Sequence, residues 1–147
     1  MNKIMTFIRS LFFGETMSNN YSPNVIKGDT VTWAMGFSGP TGGAYNLSGM
    51  TFTMEVRRTY YPGKEILKYV LGVTSGSQFV AVDGVTGGLA LTGLTGILYV
   101  TIGSNYTKQF PPYVPVFYDI QMQYPNNGGI MTVLRGTINT LLDVTEN

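Results

Sequence analysis

The fold class of this chain is predicted from the pattern in the stretch NLSGMTFTMEVRRT, residues 46–59. From position 50 to position 57 every second residue is apolar, and the residues between them are polar. The apolar set is Met50, Phe52, Met54 and Val56, and the polar set is Thr51, Thr53, Glu55 and Arg57. A period of two predicts a β-strand with one buried face and one solvent-facing side.

The same period recurs along the chain, and turn residues separate its occurrences. Residues 26–37, 66–73 and 116–124 alternate in this way, with Val31, Trp33, Met35 and Phe37 on one side of the first segment. Shorter strand candidates are SQFVAV, GLALTG and GILYVTIG, and Asp83-Gly84 predicts a tight turn. YYPGKE (60–65) and PNNGG (125–129) predict hairpin turns. The prolines of residues 103–115 exclude an interior strand there, so we expect a long loop or a crossover between sheets.

Turns at intervals of roughly 8–12 residues are typical of all-β folds. The sequence therefore predicts an antiparallel β-sandwich, Ig-like or jelly-roll-like, with about seven or eight strands. We assign this domain to residues 21–147.

Residues 1–20 follow a different pattern and form a predicted N-terminal arm, amphipathic and helical or extended. Their apolar residues are spaced by three and four, which favours one helical face that docks on the domain or on a neighbouring subunit. These residues are Ile4, Phe7, Ile8, Leu11 and Phe12. Two other interpretations stay open: an upstream extension, because MSNNYSPN at Met17 also resembles a start, and a signal peptide or membrane-surface anchor. The apolar run at 11–13 is too short for a signal-peptide core, and the sequence holds no apolar span of about 20 residues.

The composition argues against several classes of function. Charged residues make up 12% of the chain, against about 25% in ordinary soluble domains. This low fraction favours a protein whose surface is buried in an assembly. The net charge of +1 and the absence of a basic block exclude the usual electrostatic footprint of a nucleic-acid binder. With no histidine and no cysteine, the chain has no thiolate nucleophile, no disulfide and no imidazole base. We therefore predict no catalytic residues, no cofactor and no metal site.

Individual candidates for chemistry are better explained by structure. No two acidic residues stand at close spacing on one strand face. Asp119 is predicted either to lie on a polar, outward face or to pair with Arg135 across the last hairpin. The glycine doublets lack the Lys-Ser/Thr that follows a phosphate loop. The many tyrosines favour core and interface packing over a sugar-stacking platform. As contact candidates we add loop 38–49 and loop 103–115, the latter with Tyr106, Phe110 and Tyr113.

Four segments, in order, resemble small virion proteins of tailed bacteriophages. They are IKGDTVTWAMGF, NLSGMTFTMEVRRT, FVAVDGVTGGLALTG and VFYDIQMQYPNNGGIMTVLRGTINTLLDVT. These segments are similar to the β-sandwich domain that begins phage upper baseplate proteins. The motifs that carry the similarity are GDT at 28–30, L-x-G-x-x-x-x-M-x-V-R at 47–57, YDIQ at 118–121 and the closing LRGTINTLLDVT at 134–145. The resemblance covers about residues 24–145 of this chain. The proline-rich approach QFPPYVPVFYDIQ and the N-terminal arm depart from that pattern.

The resemblance implies a non-enzymatic structural protein located in the virion. Its partners would be other virion proteins and copies of itself, in a tail, baseplate or fibre adaptor, with no nucleic acid and no membrane. Two alternatives remain: a capsid decoration protein, and a carbohydrate- or receptor-binding module whose exposed tyrosines stack on a host-surface glycan.

Overall fold

The structure is a computed structural model, and it describes residues 6–12, 19–38, 43, 46–59, 63–72, 83–92, 96–126 and 128–142. The strands are β1 Thr6–Phe12, β2 Asn19–Asn20, β3 Asn24–Ile26, β4 Val31–Ser38, β5 Thr51–Arg57, β6 Glu65–Leu71, β7 Gly87–Thr92, β8 Ile97–Ile102, β9 Val116–Gln123 and β10 Ile130–Leu141. A short helix, α1, spans Ser104–Thr107 between β8 and β9. Within these residues, no helix has the length and apolar character needed to cross a bilayer.

The strands form two sheets, as predicted for an all-β sandwich. The four-stranded sheet has the order β1-β4-β8-β7, and the larger sheet has the order β2-β10-β9-β5-β6, with β3 also paired to β10. Most pairs are antiparallel; β1 with β4, and β2 and β3 with β10, are parallel. Of the described strands, β2 and β3 have two and three residues, and the other eight have at least six, which confirms the predicted number of strands.

The core lies between the two sheets and is built from the predicted apolar positions. Met50, Phe52, Met54 and Val56 are all buried, and so are the alternate residues of β4 and β9. Aromatic pairs join the sheets: the ring centroids of Trp33 and Tyr118 are 5.8 Å apart, and those of Phe37 and Phe52 are 6.0 Å apart. Such tilted and edge-on pairs stabilise the core beyond simple burial.

The predicted connections are confirmed where the structure describes them. β5 pairs with β6, and β9 pairs with β10, as antiparallel hairpins. Residues 103–115 connect β8 in one sheet to β9 in the other, so they form the expected crossover between sheets. The strand candidate at 77–82 and turn residues 60–62 lie outside the described residues.

The helical interpretation of the N-terminal arm is wrong for residues 6–12, which form β1. This strand pairs in parallel with β4, and an extra residue in β1 shifts the register between Ile8 and Leu11. Ile8 pairs with Met35 and Leu11 with Phe37, so a spacing of three in β1 matches a spacing of two in β4. A bulge of this kind gives a strand the apolar spacing of a helix, and pairing to a sheet edge outweighs weak helical periodicity. Ile4 lies outside the described residues.

The chain between β2 and β3 crosses closely over β10. The Tyr21 N–H donates to the Arg135 carbonyl at 3.0 Å, and the Tyr118 hydroxyl donates to the Tyr21 carbonyl at 2.6 Å. Gly136 lies beneath this segment, where a Cβ would overlap the Tyr21 carbonyl oxygen. Burial raises the pKa of Tyr118 far above its ordinary value, so this hydroxyl stays protonated and continues to donate.

Candidate contact surfaces

The GDT motif at 28–30 forms a turn that holds two other loops in place. Gly28 has a φ of +88° and donates its N–H to Thr107 Oγ1 at 3.1 Å. Thr107 Oγ1 in turn donates to the Asp29 carbonyl at 2.8 Å, and the Thr30 hydroxyl donates to the Gly84 carbonyl. The motif therefore has a structural role: it fixes α1 and the turn that follows Asp83.

The Asp83 side chain stabilises the turn that begins at this residue through local hydrogen bonds. The carboxylate accepts from the N–H groups of Thr86 and Val85, both at 2.8 Å, and from the Thr86 hydroxyl at 2.9 Å. These bonds hold the pKa of Asp83 below its ordinary value, with the Thr86 N–H as the largest contribution. The predicted turn at Asp83-Gly84 is confirmed.

The Tyr69 hydroxyl links this turn to the beginning of loop 103–115 by hydrogen bonds. Its hydroxyl donates to the Thr86 carbonyl at 2.6 Å and accepts from the Gly103 N–H at 3.4 Å. Burial raises the pKa of Tyr69 to about 12. The Tyr106 ring packs edge-on against the Tyr69 ring, with centroids 6.0 Å apart. Tyr106 is therefore partly covered and belongs to the packing of the loop.

The three predicted contact residues of loop 103–115 occupy very different positions. Phe110 is fully buried in the core and presents no surface to a partner, whereas Tyr106 is partly buried. Tyr113 is 66% exposed and has a φ of +61°, an uncommon conformation for a tyrosine. Its N–H donates to the Thr140 carbonyl at 2.7 Å, which fixes the loop against the end of β10. Of the three, Tyr113 is the residue that solvent reaches most freely.

Four exposed apolar residues neighbour this point along the loop and at the end of β10, and we call them the apolar edge: Tyr113, Val114, Leu141 and Leu142. Val114 is 54% and Leu142 51% exposed, and Leu141 is exposed as well. Pro112 makes a parallel bridge to Thr140, so the loop lies directly beside the end of β10. Leu141, the last residue of β10, and Leu142, which follows it, were not among the predicted contact residues, although successive side chains of an extended segment point to opposite sides.

The other predicted contact residues lie in β1 and in loop 38–49. Phe7, Ile8, Leu11 and Phe12 occupy register positions in β1 beside β4. Of loop 38–49, residues 39–42, 44 and 45 lie outside the described residues. The arm and this loop therefore stay predictions.

The larger sheet carries a row of charged residues on its outer face. Asp119 lies opposite Arg135 in the register of the last hairpin and, on its other side, opposite Glu55. Glu55 forms ion pairs with Arg57 at 3.3 Å and Lys68 at 3.8 Å. Desolvation, followed by the neighbouring Glu55 charge, raises the pKa of Asp119, while two arginines oppose the shift. The proximity of Glu55 to Asp119 was not expected, because these residues are far apart in the sequence.

No group of three or more acidic, histidine or cysteine side chains with metal-binding geometry occurs in the described part of the chain. The sequence matches no protein-family model, and no curated protein is similar to it. Among solved structures, the N-terminal domain of phage TP901-1 ORF48 is similar, with a TM-score of 0.48 and 12% sequence identity. The match covers 96% of this chain and 99% of that chain. A likeness this distant carries no argument about function.

Proposed function

We propose that this chain is a non-enzymatic structural component of a bacteriophage virion. In this role it is an adaptor of the tail, baseplate or fibre, and it binds copies of itself and other virion proteins. The order of sequence motifs that resemble phage virion proteins supports the class. The low charged fraction of 12% supports extensive burial between subunits.

The observation that carries the proposal is the apolar edge. Tyrosine and aliphatic side chains that stay exposed on a folded domain mark contact sites more often than chance, especially when they are grouped. Here the backbone holds Tyr113 in place through its bond to Thr140. Because the backbone at Tyr113 is already fixed, binding need order only its side chain, which makes this residue a suitable anchor.

The apolar edge is tested by placing a charge on it. Val114→Asp should lower self-association, or binding to a neighbouring virion protein, because a carboxylate buried in an interface is strongly unfavourable. Val70 is 60% exposed on β6 and serves as the matched control, so Val70→Asp should assemble normally. Light scattering after size exclusion measures the mass of the complexes. Assembly of Val114→Asp at the wild-type level would contradict a role for this edge.

We further propose that residues 1–20 are an arm that contacts a neighbour through Ile4, Phe7, Ile8, Leu11 and Phe12. β1 is joined to the sheet at one edge, next to β4. An edge strand of this kind can be supplied by the same chain or exchanged between subunits. The remainder, residues 21–147, is then the folded domain.

Deletion of residues 1–16 tests the arm. The shortened chain should remain folded by circular dichroism but should fail to enter particles in a complementation experiment. Normal incorporation would refute the arm as a contact element. Imaging of particles that carry a labelled copy separates the tail or baseplate location from the alternative of a decoration protein on the capsid.

A further inference from the structure

The outer face of the larger sheet contains a cavity of about 350 Å³, which we call the outer cavity. This volume falls within the range of roughly 300–1,000 Å³ that small-molecule sites occupy. Its floor is formed by two neighbouring rows of side chains on β5, β9 and β10. One row is Glu55, Asp119 and Arg135, and the other is Arg57, Phe117 and Thr137.

Hydrogen bonds fix the walls of the outer cavity. On one side, Ser22 Oγ accepts from the Thr137 N–H at 3.1 Å, and the neighbouring Tyr21 is bonded to the Arg135 carbonyl. On the other side, Arg57 Nη1 donates to the Gly63 carbonyl at 2.7 Å. The concave shape therefore results from backbone and side-chain contacts that exist without a ligand.

The charges around the outer cavity balance, with two carboxylates and two guanidinium groups. Glu55 and Arg57 neutralise each other at 3.3 Å. Asp119 and Arg135 lie opposite each other, but neither forms an ion pair or a side-chain hydrogen bond with a described residue. The cavity thus offers a carboxylate that can accept hydrogen bonds and a guanidinium that can donate them.

This arrangement discriminates between classes of ligand. An anion at Arg135 would meet the repulsion of Glu55 and Asp119, and a cation at Asp119 would meet the two arginines. A neutral group with several hydroxyls avoids both penalties, because each hydroxyl can donate to the carboxylate and accept from the guanidinium. The Phe117 side chain also lines the cavity.

We propose that the outer cavity binds a neutral saccharide unit, with Asp119 accepting from its hydroxyl groups and Arg135 donating to them. The site does not depend on the proposed virion role, nor on the exposed tyrosines of loop 103–115. The half-desolvated Asp119 carboxylate, whose pKa is raised by burial, gains hydrogen bonds that none of the described residues gives its side chain.

The experiment is a titration of ¹⁵N-labelled protein with glucose, galactose, N-acetylglucosamine and rhamnose, followed by amide chemical shifts. At least one sugar should shift the amides of residues 117–119 and 135–137 in a saturable way. Asp119→Ala and Arg135→Ala should each weaken binding by about tenfold or more, since each removes a charged hydrogen-bonding partner. Arg135 is exposed, so its variant tests the site even if the Asp119 variant fails to fold.

Gln121→Ala is the matched control, because Gln121 is exposed on β9 two residues from Asp119 and does not line the cavity. Its affinity for the sugar should equal that of the wild type, and so should that of Tyr113→Ala. The proposal is overturned if none of the four sugars shifts these amides, or if Arg135→Ala binds as well as the wild type. It is also overturned if inorganic phosphate or free lysine shifts the same amides as strongly, because the site would then select charge.

Discussion

Replacement of Gly136 by alanine should destabilise the protein by releasing the segment that crosses β10. A Cβ at this position would overlap the Tyr21 carbonyl oxygen and would lie 2.8 Å from its carbonyl carbon. Both neighbours are backbone atoms, so relief requires movement of the crossing segment rather than rotation of a side chain.

The size of the effect follows from the bonds that this movement breaks. The crossing segment is held by the bonds from Tyr21 N–H to Arg135, from the Tyr118 hydroxyl to Tyr21, and from the Thr137 N–H to Ser22. At roughly 0.5–1.5 kcal/mol each, their loss lowers the free energy of unfolding by about 2–4 kcal/mol. With a urea m-value of about 2 kcal/mol/M, the unfolding midpoint falls by about 1–2 M.

Urea unfolding followed by tryptophan fluorescence suits this measurement. Trp33 is the single tryptophan, and its ring centroid lies 5.7 Å from that of Tyr21. Far-UV circular dichroism reports the whole fold in the same samples. Gly129→Ala is the matched control, because a Cβ there meets nothing within 4 Å; its stability should stay within about 0.5 kcal/mol of the wild type.

A double-mutant cycle makes the test specific. Tyr118→Phe alone should cost about 1 kcal/mol, through loss of its hydrogen bond to Tyr21. In the Gly136→Ala background it should cost almost nothing, because the acceptor has already moved away. Full additivity of the two variants, or a Gly136→Ala midpoint equal to that of the wild type, would refute this account of the crossing segment.

Two aspartates should affect the pH dependence of stability in opposite directions. The folded-state pKa of Asp119 is raised, so its ionised carboxylate destabilises the fold at pH 7, and Asp119→Asn should be more stable than the wild type there. The difference should vanish as the pH falls through the folded-state pKa toward the unfolded value of about 3.9. The folded-state pKa of Asp83 is lowered, so its carboxylate stabilises the fold above about pH 3.9; Asp83→Ala should be less stable at pH 7 and should converge on the wild type in acid. Thermal unfolding over a pH series measures both, and parallel curves for wild type and variants would contradict these assignments.

The sequence was most informative where one face of a strand is buried. In β5, the alternation from Met50 to Val56 identified the buried side chains correctly, since burial in a two-sheet core imposes a period of two. The last hairpin was also predictable, because the turn and both strands are contiguous in the sequence.

The sequence was least informative where contacts join distant segments. β4 pairs with β8, and β5 pairs with β9, and local periodicity contains no signal for such partners. The proximity of Glu55 to Asp119 follows only from the pairing of β5 with β9. β1 was misinterpreted because its bulge reproduces helical spacing. The fully buried Phe110 shows that a proline-rich loop can contribute to the core.

The position of β10 has a consequence for how the protein is made. This strand is synthesised after every other described strand, yet β2, β3 and the loop at Pro112 all depend on it for their hydrogen bonds. During synthesis, these earlier segments remain without their β10 partner until the end of the chain leaves the ribosome. A polypeptide that terminates before β10 therefore has neither the support for Tyr113 nor the two leucines beside it. Truncated products would therefore lack a complete apolar edge.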